Sequence, residues 1–357
     1  MKVNAAVFVT PGQPLEMREL ESGELLTGET LVRIEACTLC GSDLHTYHGR
    51  RAAPAPSILG HEILGTVEYT NGDVRTYDGR LLQPGDRITW CVAASCGQCF
   101  FCRNALPQKC VHLRKYGHQS LDSDMPLSGG MAEYCRLSAG TAVVHVPQDL
   151  SAALVCPASC ATATVAAVLR RAGFARGETV VVQGLGMLGL SACAMAHEAG
   201  ARWVIGVDPD ERRAASARHF GADAVLLPGD PTLATMVRDL TEGRGADVVL
   251  ELSGDRSAIV SGLSLLRVGG RYVLAGALIP GPAVPIDPRD LITRMLSIHG
   301  VHNYEPCDLA SSIEFLKAAG SRYPFPTLVN QEFALARAND AFLIPPDSRP
   351  PRVMIRP

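Results

Sequence analysis

The chain carries no surplus of charge. Its 33 Lys and Arg against 36 Asp and Glu leave a net −3 over 357 residues. That gives no electrostatic footprint for nucleic acid or an anionic membrane. It has no uninterrupted apolar run of about 18 residues, so no membrane-spanning helix is expected. Met1 to Gly12 holds one Lys and a five-residue apolar run, too short for a secretory h-region, so the expected location is the cytoplasm. Internal repeats and low-complexity tracts are absent as well. What remains is an ordinary globular composition, 47% hydrophobic and 19% charged, in a chain long enough for two domains.

Cysteine is plentiful, at twelve residues. In a reducing compartment this points to metal ligation rather than disulfides. Cys96, Cys99, Cys102 and Cys110 form C-x2-C-x2-C-x7-C, a spacing at which four thiolates wrap one tetrahedral zinc with no open position. Two disulfides, an iron–sulfur cluster or a nucleic-acid-binding zinc ribbon are the competing readings. The first suits an oxidising compartment, the second lacks a redox partner site, and the third lacks a basic flank.

A second constellation runs from Cys37 to Gly65. Cys40 offers a thiolate and His61 an imidazole, both good zinc ligands. Glu62, beside His61, is a carboxylate able to bind the metal or orient its ligands. Ser42 and His45 are a hydroxyl and an imidazole able to carry a proton. A Lewis acid beside a proton path suits chemistry at an alcohol or carbonyl oxygen.

Residues 1 to 150 read as an irregular β domain, with strands at 5–9, 30–35 and after the Pro84-Gly85-Asp86 turn. Beyond Val155 the pattern becomes alternating βα. An Ala-rich helix is expected over 158–169, and strands at 178–183, 203–207, 224–227, 247–252, 272–275 and 297–301. Helices are expected at 190–199, 231–241 and 256–266, with Gly269-Gly270 as a turn. Six strands with interposed helices are the count of a doubly wound dinucleotide-binding sheet. After the strand at 178–183 comes Gly184-Leu185-Gly186-Met187-Leu188-Gly189, a G-x-G-x-x-G between strand and helix. Asp208 ends the next strand, where an acidic side chain meets the ribose hydroxyls and repels a 2′-phosphate. NAD is therefore the expected cofactor, with Gly184, Gly186, Met187, Leu188, Gly189 and Asp208 lining it. Arg213 is a candidate contact to the adenosine ribose, and Gly276 follows a strand at its ligand-facing end.

On Cys40–His45 (C-G-S-D-L-H), Gly60–Glu62 (G-H-E), the four-cysteine lobe and Gly184–Gly189 with Asp208, the chain resembles the zinc-dependent medium-chain dehydrogenase/reductase family of the alcohol dehydrogenase type. The resemblance covers almost the whole length. It implies an α/β plus β fold: a GroES-like catalytic domain over 1–160 and 301–357, with a zinc lobe near 91–113, and a Rossmann doubly wound parallel sheet over 161–300. It implies two zinc ions per subunit, one catalytic and one structural, and a homodimer or homotetramer. The residues themselves leave Cys156 and Cys160 open as a third catalytic ligand. The resemblance points to Cys160, completing Cys40, His61 and Cys160, with Glu62 as a transient ligand. It makes Asp43 the carboxylate that holds His61, and Ser42 and His45 the proton relay. Gly41 departs from members that place a basic residue there. The implied reaction moves a hydride between an alcohol and NAD, giving an aldehyde or ketone.

A narrower resemblance, on Cys37–Arg51, Pro107–Cys110, Lys115–His118 and Cys160–Ala167, is to the phosphonate-catabolism-associated alcohol dehydrogenases. It implies a phosphonate-bearing substrate, with Arg50 and Arg51 as anion contacts. A polyol, amino-alcohol or threonine-type dehydrogenase is the alternative within the family. A non-catalytic zinc- and nucleotide-binding protein, or a metal buffer, is the alternative outside it.

Overall fold

Strand-forming β-branched and apolar residues dominate two separate stretches of the chain, and each builds its own sheet system. The computed structural model describes residues 1–357. One unit comprises Met1–Ala163, Glu305–Ser321 and Phe325–Pro357; the other comprises Thr164–Tyr304 and Arg322–Pro324.

The first unit is mostly antiparallel β. Its central sheet runs Val143–His145, Arg87–Trp90, Glu62–Thr70, Thr30–Leu39, Val353–Arg356 and Glu332–Ala334, and Tyr134–Leu137 also pairs with Thr30–Leu39. A three-stranded sheet of Glu16–Glu21, Lys2–Phe8 and Ser57–Ile58 packs into the same core. Thr30–Leu39 buries eight of its ten residues and pairs with three neighbours, Glu62–Thr70, Tyr134–Leu137 and Val353–Arg356. It is longer than the 30–35 expected, because Ala36, Cys37 and Leu39 are buried and continue the ladder into the site. Val353–Arg356 joins this sheet next to Thr30–Leu39, with Ile355 opposite Cys37. That pairing delivers Arg352 to the site described below.

The second unit is a six-stranded parallel sheet in the order Ala224–Leu226, Trp203–Val207, Thr179–Gln183, Ala246–Glu251, Leu266–Leu274, Ser297–Gly300. Counted along the chain this is 3-2-1-4-5-6, the doubly wound order whose crevice takes a dinucleotide. The apolar runs Val180–Val182 and Val248–Leu250 are fully buried, as strands covered on both faces must be.

Three expectations shift. The Ala-rich helix runs Ala161–Ala172, because Pro157 holds Cys156–Ser159 in a separate 3-10 turn. The helix after the glycine run begins at Met187 rather than Leu190, so the second half of that run is already helical. Gly269 and Gly270 lie within the strand Leu266–Leu274 instead of a turn; there the pairing with Ala246–Glu251 slips, and Gly269 takes a φ of +72. No single helix is long and apolar enough to cross a membrane.

Candidate functional site

Cys40 leaves the strand Thr30–Leu39 and caps the helix Gly41–Tyr47. The cap is closed by Asp43, whose Oδ2 accepts from the Cys40 backbone N–H at 2.9 Å. Oδ1 of the same carboxylate accepts from the Gly60 N–H at 3.2 Å and lies 3.3 Å from His61 Nδ1. One buried carboxylate thus fixes both ligand-bearing segments and turns the other imidazole nitrogen, Nε2, toward the thiols. The His61 contact is an ion-pair approach rather than a well-aligned hydrogen bond, since Nδ1 has no such bond. Burial opposes a charge on His61, yet Asp43 and then Cys40 raise its pKa to about 10.

Cys160 follows the 3-10 turn and brings its Sγ to 4.0 Å from that of Cys40. The Cys160 thiol, then Arg352 and His61, hold Cys40 well toward thiolate against its burial. Ligand atoms of Cys40, His61, Glu62 and Cys160 all lie within 4.8 Å of one another. A tetrahedral zinc with Zn–S near 2.3 Å sets an S–S edge of about 3.8 Å, so the donors fit that ion. Cys156 takes no part. Its Sγ donates to the Ala36 carbonyl at 3.4 Å, and burial pushes its thiol up.

Glu62 is fully buried and heavily engaged. Arg352 grips both carboxylate oxygens at 2.7–2.9 Å, and Thr38 Oγ1 donates at 2.6 Å. The same guanidinium lies 3.6 Å from Cys40 Sγ. Nothing in local spacing signals Arg352, which lies 290 residues from Glu62 and reaches it only through sheet pairing.

Ser42 and His45 sit one turn apart on the Cys40 helix. No protein hydrogen bond joins them, and His45 Nδ1 is buried without a partner. Burial, then the charge of Arg50, lowers the His45 pKa and keeps the ring neutral. Arg50 is exposed and Arg51 half-buried; the backbone N–H of each donates to the His45 carbonyl. His118 stacks at a tilt on His61, ring centroids 5.5 Å apart.

In the lobe, Cys96, Cys99, Cys102 and Cys110 bring their sulfurs to 3.4–4.0 Å. Those separations bracket the same tetrahedral edge and exceed a disulfide's roughly 2.0 Å. An iron–sulfur cube would hold thiolates farther apart, each on its own iron. Backbone N–H groups of Cys96 and His112 point at Cys110 Sγ at 3.3 Å. The N–H groups of Cys102 and Val111 lower the Cys99 thiol to about 6. The loop is thus built for thiolates.

In the parallel-sheet unit, Gly184 turns with φ +89, and a Cβ there would lie 2.6 Å from the Ser253 backbone. A Cβ at Gly189 would lie 1.8 Å from the Gly184 carbonyl, so only glycine lets this helix approach the strand. The space beside Gly186 is open. Gly186 caps the helix Met187–Glu198 without a side-chain bond, leaving first-turn N–H groups for an anion. Gly276 abuts Gly254 at the end of the strand Leu266–Leu274. Asp208 is more occupied than its ribose role required. Oδ2 accepts from Leu185 N at 2.7 Å, while Oδ1 accepts from Asp210 N at 2.8 Å and Arg213 Nε at 3.0 Å. It therefore pins the glycine loop and positions Arg213.

Residues 27–148 match the family model of the alcohol dehydrogenase GroES-like domain, and residues 188–318 that of the zinc-binding dehydrogenases. The 5-exo-hydroxycamphor dehydrogenase of Pseudomonas putida is 32% identical over 94% of each chain. An alcohol dehydrogenase of Geobacillus stearothermophilus is 32% identical over 88% of each. The crystal structure of an alcohol dehydrogenase of Thermotoga maritima superposes with a TM-score of 0.94 at 30% identity, covering all of both chains. With the two thiolate-rich centres and the dinucleotide fold, these matches establish that the chain belongs to the zinc-dependent medium-chain alcohol dehydrogenase family.

Proposed function

We propose that this enzyme interconverts a small alcohol and its aldehyde or ketone, with NAD as the hydride partner. The observation that carries the reading is the Cys40–His61–Cys160 donor set, with two proton carriers, Ser42 and a His45 whose buried Nδ1 has no partner, on the helix that Cys40 begins. Zinc held by these three residues supplies Lewis acidity at the substrate oxygen. NAD, held by the glycine run, supplies the hydride acceptor. Ser42 Oγ takes the hydroxyl proton and His45 Nδ1 passes it on. A neutral imidazole is the form able to accept it. Asp43 keeps His61 in its ligating orientation, and Arg352 tethers Glu62 within reach of the metal position as a transient oxygen donor.

Among small alcohols we favour one carrying an anionic group, such as a phosphonate. Arg51, half-buried beside His45 with no carboxylate partner, supports this. We also favour a homodimer or homotetramer. The strand Ser297–Gly300 is a sheet edge, and nearby Ile292 and Met295 are each 74% exposed, an arrangement that calls for covering. A cytoplasmic setting suits twelve cysteines that are all free thiols.

The test is NADH appearance on a panel of alcohols, with zinc content measured in the same preparation. Ser42→Ala should lower kcat roughly 10²- to 10⁴-fold while zinc content holds. An unchanged kcat removes the relay, and no turnover of any alcohol removes the reading.

A further inference from the structure

The crevice of the parallel sheet opens between the strands Thr179–Gln183 and Ala246–Glu251, where the order 3-2-1-4-5-6 changes direction. One wall is the glycine run with Asp208, assigned above to the pyrophosphate and the adenosine ribose. The other half of a dinucleotide, the second ribose and the nicotinamide, then extends along the opposite wall. That wall is made by the segments that follow Glu251 and Leu274. The reaction described above gives Glu251 no task.

The strand Ala246–Glu251 runs through Val248, Val249 and Leu250, all fully buried, and ends on a carboxylate that is fully buried as well. Burying an anion is costly unless its oxygens are satisfied. Those of Glu251 meet no cation but three donors. Oε1 accepts from Ser253 Oγ at 2.8 Å and from the Gly254 N–H at 2.6 Å. Oε2 accepts at 3.2 Å from the Gly276 N–H, which the Glu251 carbonyl shares at 3.0 Å. The same carbonyl accepts from the Ala275 N–H at 3.0 Å. One residue thereby gathers the segments after two neighbouring strands. They meet with no room to spare: a Cβ on Gly276 would lie 2.5 Å from the Gly254 nitrogen and 2.9 Å from Glu251 Oε1. The glycine-run wall has anchors of its own. The Gly184 N–H donates to the Val207 carbonyl at 2.8 Å and the Leu185 N–H to Asp208, neither through Glu251.

We propose that Glu251 is a positioning residue for the cofactor: its carboxylate fixes Ser253–Gly254 and Ala275–Gly276 as the wall that receives the nicotinamide half of NAD. This rests on NAD as the hydride partner and names the group that shapes the second half of its site. Glu251 acts through the backbone of Gly254 and Gly276, and the adenosine half is left to the glycine run and Asp208. A carboxylate suits the task because each of its two oxygens accepts from a different segment, and it has no N–H of its own to repel them.

The test compares two ligands on the zinc-loaded protein without turnover: NADH, followed by nicotinamide fluorescence, and ADP, followed by calorimetry. ADP carries the adenosine and both phosphates but nothing of the nicotinamide half. Glu251→Gln keeps the size and one acceptor oxygen, yet turns an NH2 group on one of the two segments. It should weaken NADH by roughly 10- to 100-fold. ADP should stay within about twofold, because its wall is anchored separately. Ser253→Ala leaves the buried carboxylate in place and removes one of its donors, so it serves if Glu251→Gln does not fold. It should weaken NADH by about 3- to 10-fold, again sparing ADP. An equal loss for both ligands overturns the proposal by reducing Glu251 to a general support of the fold. NADH affinity unmoved in both variants overturns it as well, with the cofactor reading left standing. Wild type that binds ADP but no NADH overturns it together with that reading.

Discussion

Replacing Arg352 with Met probes the clamp behind the catalytic centre. The Arg352 and Glu62 side chains are 6% and 0% exposed, and three N–O contacts of 2.7–2.9 Å join them. Without the guanidinium, Glu62 keeps one partner, Thr38 Oγ1. Breaking a buried pair from one side costs about 3–5 kcal/mol, because the remaining charge is uncompensated. Burial already pushes Glu62 toward its protonated form, and protonation in the variant caps the cost near that range. For a unit of this size, each kcal/mol moves the melting temperature by roughly 2–4 °C, so a fall of about 10 °C is expected. The double variant Arg352→Met/Glu62→Gln should recover much of it, since a neutral amide keeps the Thr38 bond and strands no charge. The assay is thermal melting of the zinc-loaded enzyme for wild type, both singles and the double, with zinc content recorded. If the double melts no higher than Arg352→Met, or the single melts like wild type, the buried-charge argument is refuted.

Asp43→Asn should weaken retention of the catalytic zinc by roughly 10- to 100-fold in a chelator competition, because the carboxylate aligning His61 is gone; equal retention would reduce Asp43 to a helix cap. Cys99→Ser should drop zinc from two ions to one per chain and lower the melting temperature, and an unaltered melt would deny the lobe a structural role. Asp208→Gly should shift preference toward NADP and also weaken NAD, because the carboxylate that anchors Leu185 N is lost. A preference that does not move would show that Asp208 acts only on the loop.

The fold was legible where chemistry sits in short windows. The glycine run, the four-cysteine lobe and the alternating strands each carry their own signal within a few residues, and the parallel sheet follows in the doubly wound order. Helix starts were less legible. Met187 and Leu188 suit either loop or helix, and the packing of Gly189 against Gly184 decides between them. The site was half legible. Cys40, Asp43 and His61 lie on two neighbouring segments. Arg352 was invisible because its signal is tertiary, a strand pairing that no local pattern announces. Asp208 was recognised for its place at a strand end, but its bond to Leu185 depends on how the loop folds back.

The 290-residue separation of Glu62 and Arg352 bears on the order in which the molecule matures. At about 5–20 residues per second, a ribosome needs roughly 15 to 60 seconds to pass from one to the other. The lobe cysteines, at most 14 positions apart, have emerged long before and can take their ion at once. Through the same interval Cys40, His61 and Glu62 wait without their counter-charge. The newborn chain should therefore fill its two zinc centres in sequence, the scaffold first and the reactive one last. A cell short of zinc would then accumulate folded but idle enzyme.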